Sequence, residues 1–188
     1  MKLNDLATIR TGLVMSRKKA QSNEFEFSYP ALSLKNVTEE GSIIKDEIEK
    51  FSSVEKLKAE YFTRKSDILL KLSAPYSVVL IKDETGLLIP SHFAIIRTNN
   101  EVEPSYLHWW LCKNRNLFYQ MASGGTIMGT ISVGYVSEIS IVLPPHKKKK
   151  ALSDLIELSA REQALLTALA EKKQRLTDAI VKKHLREK

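Results

Sequence analysis

The sequence predicts an α+β fold: a mixed-sheet domain with packed helices over residues 1–145, then one long C-terminal helix of coiled-coil type over residues 146–188. Three observations predict it. Short apolar runs of strand length recur between residues 6 and 97, separated by turn residues. Pro104 opens a stretch with helical apolar spacing, at a position where its missing N–H costs nothing. Beyond Pro144-Pro145 there is neither Gly nor Pro, and leucines recur at helical intervals.

The elements follow in chain order. Leu6–Arg10 is a strand ended by Thr11-Gly12, and the polar stretch Val14–Ser28, with Arg17-Lys18-Lys19, is a loop. Pro30–Lys35 alternates apolar and polar residues, as a half-buried strand does. Asn36–Gly41 turns the chain, Ile43-Ile44 and Ile48–Phe51 read as two paired strands, and Ser53–Lys58 reads as a helical turn. Lys65-Ser66-Asp67 is a turn before the apolar run Ile68–Leu72; Ser73–Tyr76 interrupts it and Val78–Ile81 resumes. After a turn at Asp83–Gly86 come Leu87–Ile89 and the strand Phe93–Arg97. In the helix from Pro104, Leu107, Trp110, Leu111, Leu117, Phe118 and Met121 fall on one face, and Gly124-Gly125 ends it. A glycine-rich loop, Ser123–Thr130, leads to a last strand, Ile139–Leu143.

The long helix spans Lys147–Arg186, about 60 Å at 1.5 Å per residue. With Leu152 at heptad position a, the a positions read Leu152, Ser159, Leu166, Lys173 and Ile180; the d positions read Leu155, Glu162, Leu169, Leu176 and Lys183. The seven-residue period is broken at Ser159, Glu162, Lys173 and Lys183, and Leu158 and Leu165 widen the seam. An amphipathic helix of this kind gains its stability from packing. Leu155, Leu158, Leu166, Leu169, Leu176 and Ile180 therefore need a second helix, and no other segment here is long enough. Another copy of the chain or another protein supplies it; the alternative is that the helix folds back onto its own head.

Composition narrows the function classes. No run of about 18 apolar residues exists to span a membrane, and the start MKLNDLATIR lacks the apolar core of a signal peptide. Cys112 is the single cysteine, which fits a cytoplasmic protein. Net charge is +7, with 12 Lys/Arg against 6 Asp/Glu in residues 147–188. That surplus serves either nucleic-acid binding or a solvated helix face. The four histidines, 92, 108, 146 and 184, lack metal-ligand spacing. No phosphate-loop motif and no Asn/Asp-Pro-Pro-Tyr/Phe run is present, so neither catalysis nor a cofactor is expected.

Several stretches, in this order, resemble the DNA-specificity (S) subunit of Type I restriction-modification systems. Tyr29–Val37 followed by Gly41-Ser42-Ile43 resembles that family's early strand and its G-x-I return. Ser66-Asp67-Ile68-Leu69-Leu70-Lys71-Leu72-Ser73 is similar to its GDILLSRSG strand, and Pro104-Ser105-Tyr106-Leu107 to its P-x-YL helix opening. Ser123–Thr126 through Ile131-Ser132 is similar to its glycine-rich loop, and Ile139–Pro145 to its I-x-I-P-L-P-P strand. The sequence departs from the pattern where Ser66 replaces a usual Gly, where Ala74-Pro75 replaces a Gly-containing loop, and where His146–Lys150 replaces an L-x-E-Q helix entry.

The resemblance implies a target-recognition domain over 1–145 and a dimerisation and spacer helix over 146–188. Full-length S subunits carry two such domains and two helices packed antiparallel, so this chain looks like a half-length form. The resemblance further implies a homodimer reading a split site in double-stranded DNA, without catalysis of its own, that recruits methyltransferase (modification) subunits and through them a restriction subunit. Base reading needs donors, acceptors and apolar groups on loops. The candidates are Arg17, Lys18 and Lys19; Lys35 and Asn36; Lys71, Ser73 and Tyr76; Ser91 and His92; and Gly125, Thr126, Met128 and Thr130. Plainer roles stand beside these: a solvated loop for Arg17–Lys19, a surface turn for the glycines, packing beneath its loop for Tyr76 and a strand cap for His92. Trp109 and Trp110 are read as core or interface. A protein-interaction module that competes with a full-length S subunit, without reading DNA, is the other function this reading leaves open.

Overall fold

Strands that are apolar on both faces must lie between two layers, and the central sheet does. The computed structural model describes residues 1–19, 27–123 and 129–186. Within them β1 (Ala7–Thr11), β4 (Ile68–Lys71), β5 (Val78–Leu80) and β6 (Phe93–Thr98) form one sheet in the order β1-β6-β4-β5, every neighbouring pair antiparallel. Ile68, Leu70, Ala94 and Ile96 point to one side, and Leu69, Phe93 and Ile95 to the other, all fully buried.

The first side is covered by helices: α1 (Leu3–Leu6), α2 (Pro104–Lys113), α3 (Asn116–Ser123) and α4 (Val133–Ser137). Leu107, Trp110, Leu111 and Phe118 are buried there, and Leu117 and Met121 pack against them, so the expected apolar face is a core face. His108 sits beneath α2, its Nε2 3.2 Å from the Val78 carbonyl oxygen of β5. The second side is covered by Leu32, Val37, Ile81, Leu87 and Ile89. Beyond them lies a two-stranded antiparallel ribbon, β2 (Phe27–Ala31) with β3 (Glu49–Ser53). Leu13, Ala31, Phe51, Leu57 and Leu88 form a third apolar cluster there.

Several expected elements shift. The strand expected at Pro30–Lys35 runs earlier, at Phe27–Ala31, because Leu34–Asn36 curls into a 3₁₀ turn. Ile43 makes only a single bridge, to Val37, and the strand after it pairs with β2 rather than with 43–44. The helical turn expected at Ser53–Lys58 lies at Ala59–Tyr61. The helix from Pro104 is two helices, broken at Asn114-Arg115. Parallel pairing, expected of a mixed sheet, is confined to the isolated bridges Leu13–Pro90 and Ala31–Leu88. Residues 139–143 are extended but make one bridge, Ser140 to Lys2, in place of a strand.

The long helix, α5 (Lys149–Arg186), follows a 3₁₀ turn at His146–Lys148. Its first turns belong to the head. Leu152 and Ile156 are half-buried, Ser153 is buried, and the Lys149 ammonium donates to the Glu101 carbonyl oxygen at 2.7 Å. From Glu157 to Leu185 every residue is exposed, so the helix does not fold back onto its own head.

Ser66 is the only non-glycine residue with positive φ among those described, at +70°. The left-handed region costs an ordinary residue about 1–2 kcal/mol, a cost that glycine avoids. Ser66→Gly should therefore raise stability by about 1 kcal/mol in urea unfolding. Burial lowers the His108 pKa below its ordinary 6.5. The unfolded chain then binds the proton more readily than the folded one. The contribution of neutral His108 to stability is complete above pH 6.5 and is lost as pH falls below it. Urea midpoints measured downward from neutral pH should show that loss, and His108→Gln should flatten it.

Candidate nucleic-acid interface

The sheet register sets one row of strand ends side by side. Thr11 of β1 and Leu70 of β4 both pair with Ala94 of β6, and Leu70 also pairs with Val78 of β5. The loops 12–19, 72–77 and 90–92 therefore leave the same end of the sheet. Backbone hydrogen bonds lock them together. Leu13 N–H donates to Ile89 O at 2.8 Å, Ser91 N–H to Leu13 O at 2.8 Å, and Leu72 N–H to His92 O at 2.9 Å. Gly12 allows this approach, because a Cβ there would strike the carbonyl oxygens of Ile89 and Pro90.

Between these loops and the ribbon lies an open cleft of about 1070 Å³. Leu13, Ala31, Leu32, Phe51 and Pro90 give it an apolar floor, and Lys19, Lys35, Lys50, Ser91 and His92 stand around it. Four expected residues, Lys19, Lys35, Ser91 and His92, are thus brought to one site. Arg17, Lys19, Lys35 and Lys50 are exposed and form no ion pair with a described residue, so their charge faces solvent. Lys18 differs: its ammonium lies 2.6 Å from the Glu55 carboxylate. Lys71, the last residue of β4, and Ser73, on the loop after it, are half-buried, and Ser73 bridges to Thr130. Gly125, Thr126 and Met128 lie outside the described residues.

Two expected contacts are corrected. Asn36 is fully buried, and its Oδ1 accepts from the Ser33 N–H at 2.7 Å and the Ser33 hydroxyl at 2.8 Å. It holds the 3₁₀ turn that presents Lys35. Tyr76 is 2% exposed, donates its hydroxyl to the Gly129 carbonyl at 2.6 Å and packs on Phe118 and Tyr119. It tethers two loops from inside. Both corrections share one cause: a side chain with a hydrogen-bonding end serves a turn as readily as a ligand.

Lys50 was not among the expected residues. Its strand is misassigned in the sequence, paired with 43–44, which hides that the ribbon carries Lys50 to the cleft. Glu49 also lines the cleft, the single carboxylate among the described residues that line it. Among the described residues no three His, Cys, Asp or Glu side chains gather as a metal site requires. No helix among them is long and apolar enough to cross a membrane.

A basic, loop-built cleft on a head that carries a projecting helix is the geometry to set beside known proteins. The family model for the Type I restriction modification DNA specificity domain matches residues 1–172. The chain belongs to that family. Comparison with the curated proteins finds no match. Among solved structures, this specificity-domain chain is similar to the HsdS subunit from Thermoanaerobacter tengcongensis, with 15% identity and a TM-score of 0.57 over 89% of this chain and 38% of that one. It is also similar to the S subunit of a Type I restriction-modification system from M. genitalium, with 16% identity and a TM-score of 0.51 over 86% of this chain and 38% of that one. A chain from a structure of the type I R-M system, solved for its complex assembly and conformational transition, gives 16% identity and a TM-score of 0.61 over 94% of this chain and 42% of that one. The specificity-domain chain thus spans about two-fifths of the length of these relatives, and at such identities the likeness is one of fold.

Asn36→Ala should remove the two bonds that hold the Leu34–Asn36 turn. Thermal unfolding should show a loss of about 1–2 kcal/mol, and binding measured well below the transition should change far less than on removing Lys35.

Proposed function

We propose that this chain is a sequence-specific DNA-recognition subunit of a Type I restriction-modification system, with a head that reads one half-site. The observation that carries this is the cleft itself. Exposed Lys19, Lys35 and Lys50, without an ion pair among the described residues, ring an open groove, with Ser91 and His92 beside them, in a chain of the DNA-specificity family. Lysines supply sequence-independent phosphate contacts and counterion release. Serine and histidine on loops supply donors and acceptors for base edges. Residues 1–145 are the reading head in this proposal, and 146–188 the dimerisation and spacer helix. Two copies pair through Leu155, Leu158, Leu166, Leu169, Leu176 and Ile180, which are all exposed on the single chain, and so address a symmetric split site. The dimer recruits methyltransferase subunits, and through them a restriction subunit, and the chemistry belongs to those partners. It acts in the cytoplasm, where it meets chromosomal DNA.

The test has two parts. Co-expression with the cognate methyltransferase should produce methylated adenine in a bipartite site by genome-wide methylation mapping; absence of any such site would remove the proposal. Replacing Lys19, Lys35 and Lys50 by Ala should weaken duplex binding evenly across sequences. It should also lower the slope of log affinity against log salt by about 0.9 for each phosphate no longer neutralised. A module that only competes for modification subunits would show no salt-dependent DNA binding to lose.

A further inference from the structure

Two of the four heptad breaks of α5, Glu162 and Lys173, carry opposite charges. On their own helix Glu162 and Lys173 are exposed, and their neighbours three and four residues away are uncharged: Leu158, Ser159, Leu165 and Leu166 around one, Leu169, Ala170, Leu176 and Thr177 around the other. Neither forms an ion pair with a described residue. Each is a lone charge set into an apolar seam.

In an antiparallel helix pair, an a position of one helix shares a layer with a d position of the other. Place two copies of α5 antiparallel about a twofold axis between Thr167 and Ala168. Leu166 then meets Leu169 of the second copy, Leu176 meets Ser159, Ile180 meets Leu155, and Lys173 meets Glu162. Glu162 and Lys173 thus face each other, twice per dimer by symmetry, while the third charged break, Lys183, falls opposite Leu152 at the edge of the head, outside the seam. Sliding the pair by one heptad either way sets Glu162 and Lys173 against Leu or Ile. A parallel, in-register pair sets Glu162 on Glu162 and Lys173 on Lys173. A charged residue at a core position selects register and orientation by making the alternatives worse, at some expense of stability. The outer limit of the seam agrees with the fold: Leu152 is occupied by the head, and Leu155, the first residue used, is 61% exposed.

We infer that the occupant of the α5 face is a second copy of this chain, antiparallel, in the one register that pairs Glu162 with Lys173. The inference rests on the dimeric reading above and adds its register and its specificity device. In that register the two copies of Leu155 lie 25 residues apart along the pair, about 38 Å.

The experiment uses the full chain and sedimentation equilibrium. Lys173→Glu and Glu162→Lys should each weaken dimerisation by on the order of tenfold to a hundredfold. The double variant, which swaps the charges, should return to within about threefold of the original, with circular dichroism confirming equal helix content throughout. In a Cys112→Ser background, spin labels on Asp178→Cys should lie about 32 Å apart along the axis, and a slip of one heptad would change this by about 10 Å. Parallel pairing would place the labels side by side. A dimer whose affinity ignores the single substitutions, or whose labels lie adjacent, overturns the register and leaves the homodimer standing. A chain that stays monomeric throughout the concentration series overturns the self-pairing itself, while DNA reading is decided separately by the methylation map.

Discussion

The head depends on one buried carboxylate. Asp67 accepts from Arg97 Nε and Nη2, each at 2.9 Å, and from the Arg64 N–H at 3.0 Å, while the same guanidinium reaches the Phe62 carbonyl at 3.0 Å. Arg97 is the first charged residue of β6 after four fully buried ones, and Asp67 immediately precedes β4. Two charges taken this far from water are tolerable only with several hydrogen bonds on each. Meeting that requirement fixes the two central strands to each other and to the layer carrying the ribbon. It does so at one end only, and so gives the sheet a tied end and a loop end.

The division of labour follows from it. Near the tied end, the turn after β6 bonds to α1 through Asn99, and Lys149 of α5 is anchored on Glu101. At the loop end, segments 12–19, 72–77 and 90–92 are joined largely through backbone groups, while Arg17, Lys19 and His92 keep their side chains outward. Backbone-to-backbone closure leaves the identity of an outward residue free. In the proposed function, an edge that contacts DNA would use that freedom, and the root of the helix would need its opposite.

The sequence exposed the parts whose burial is two-sided or periodic. Ile68–Leu70, Val78–Leu80 and Phe93–Ile96 are apolar enough that only a central sheet could hold them, and the gap in Gly and Pro after residue 145 marks α5. Alternation misled at both Pro30–Lys35 and Ile139–Leu143. Ile139 and Ile141 are buried while Val142 is 71% exposed, the pattern of a strand, yet among the described residues the one ladder partner there is the bridge to Lys2. Periodicity reports which side is buried and carries no information on whether a neighbour pairs. On the loops, Arg17, Lys19 and Lys35 are exposed, as a polar loop reading expects. Asn36 and Tyr76 could not be told from ligands, and Lys50 depended on a ribbon pairing between residues some twenty positions apart.

The broken heptads of α5 carry more information than intact ones would. A seam of leucine alone would stabilise parallel, antiparallel and slipped pairs to similar degrees, and each would set two heads at a different distance. Glu162 and Lys173, placed symmetrically about the middle of the seam from Leu155 to Ile180, would penalise the slipped and parallel arrangements of the proposed dimer. In the proposed arrangement the helix roots would be held about 38 Å apart, close to eleven base pairs at 3.4 Å each and so near one turn of the duplex. Two identical heads one turn apart meet the same side of DNA, which is the condition for a symmetric split site to be read without bending. The stability given up at Glu162 and Lys173 is therefore what would make the spacer a ruler with a single length.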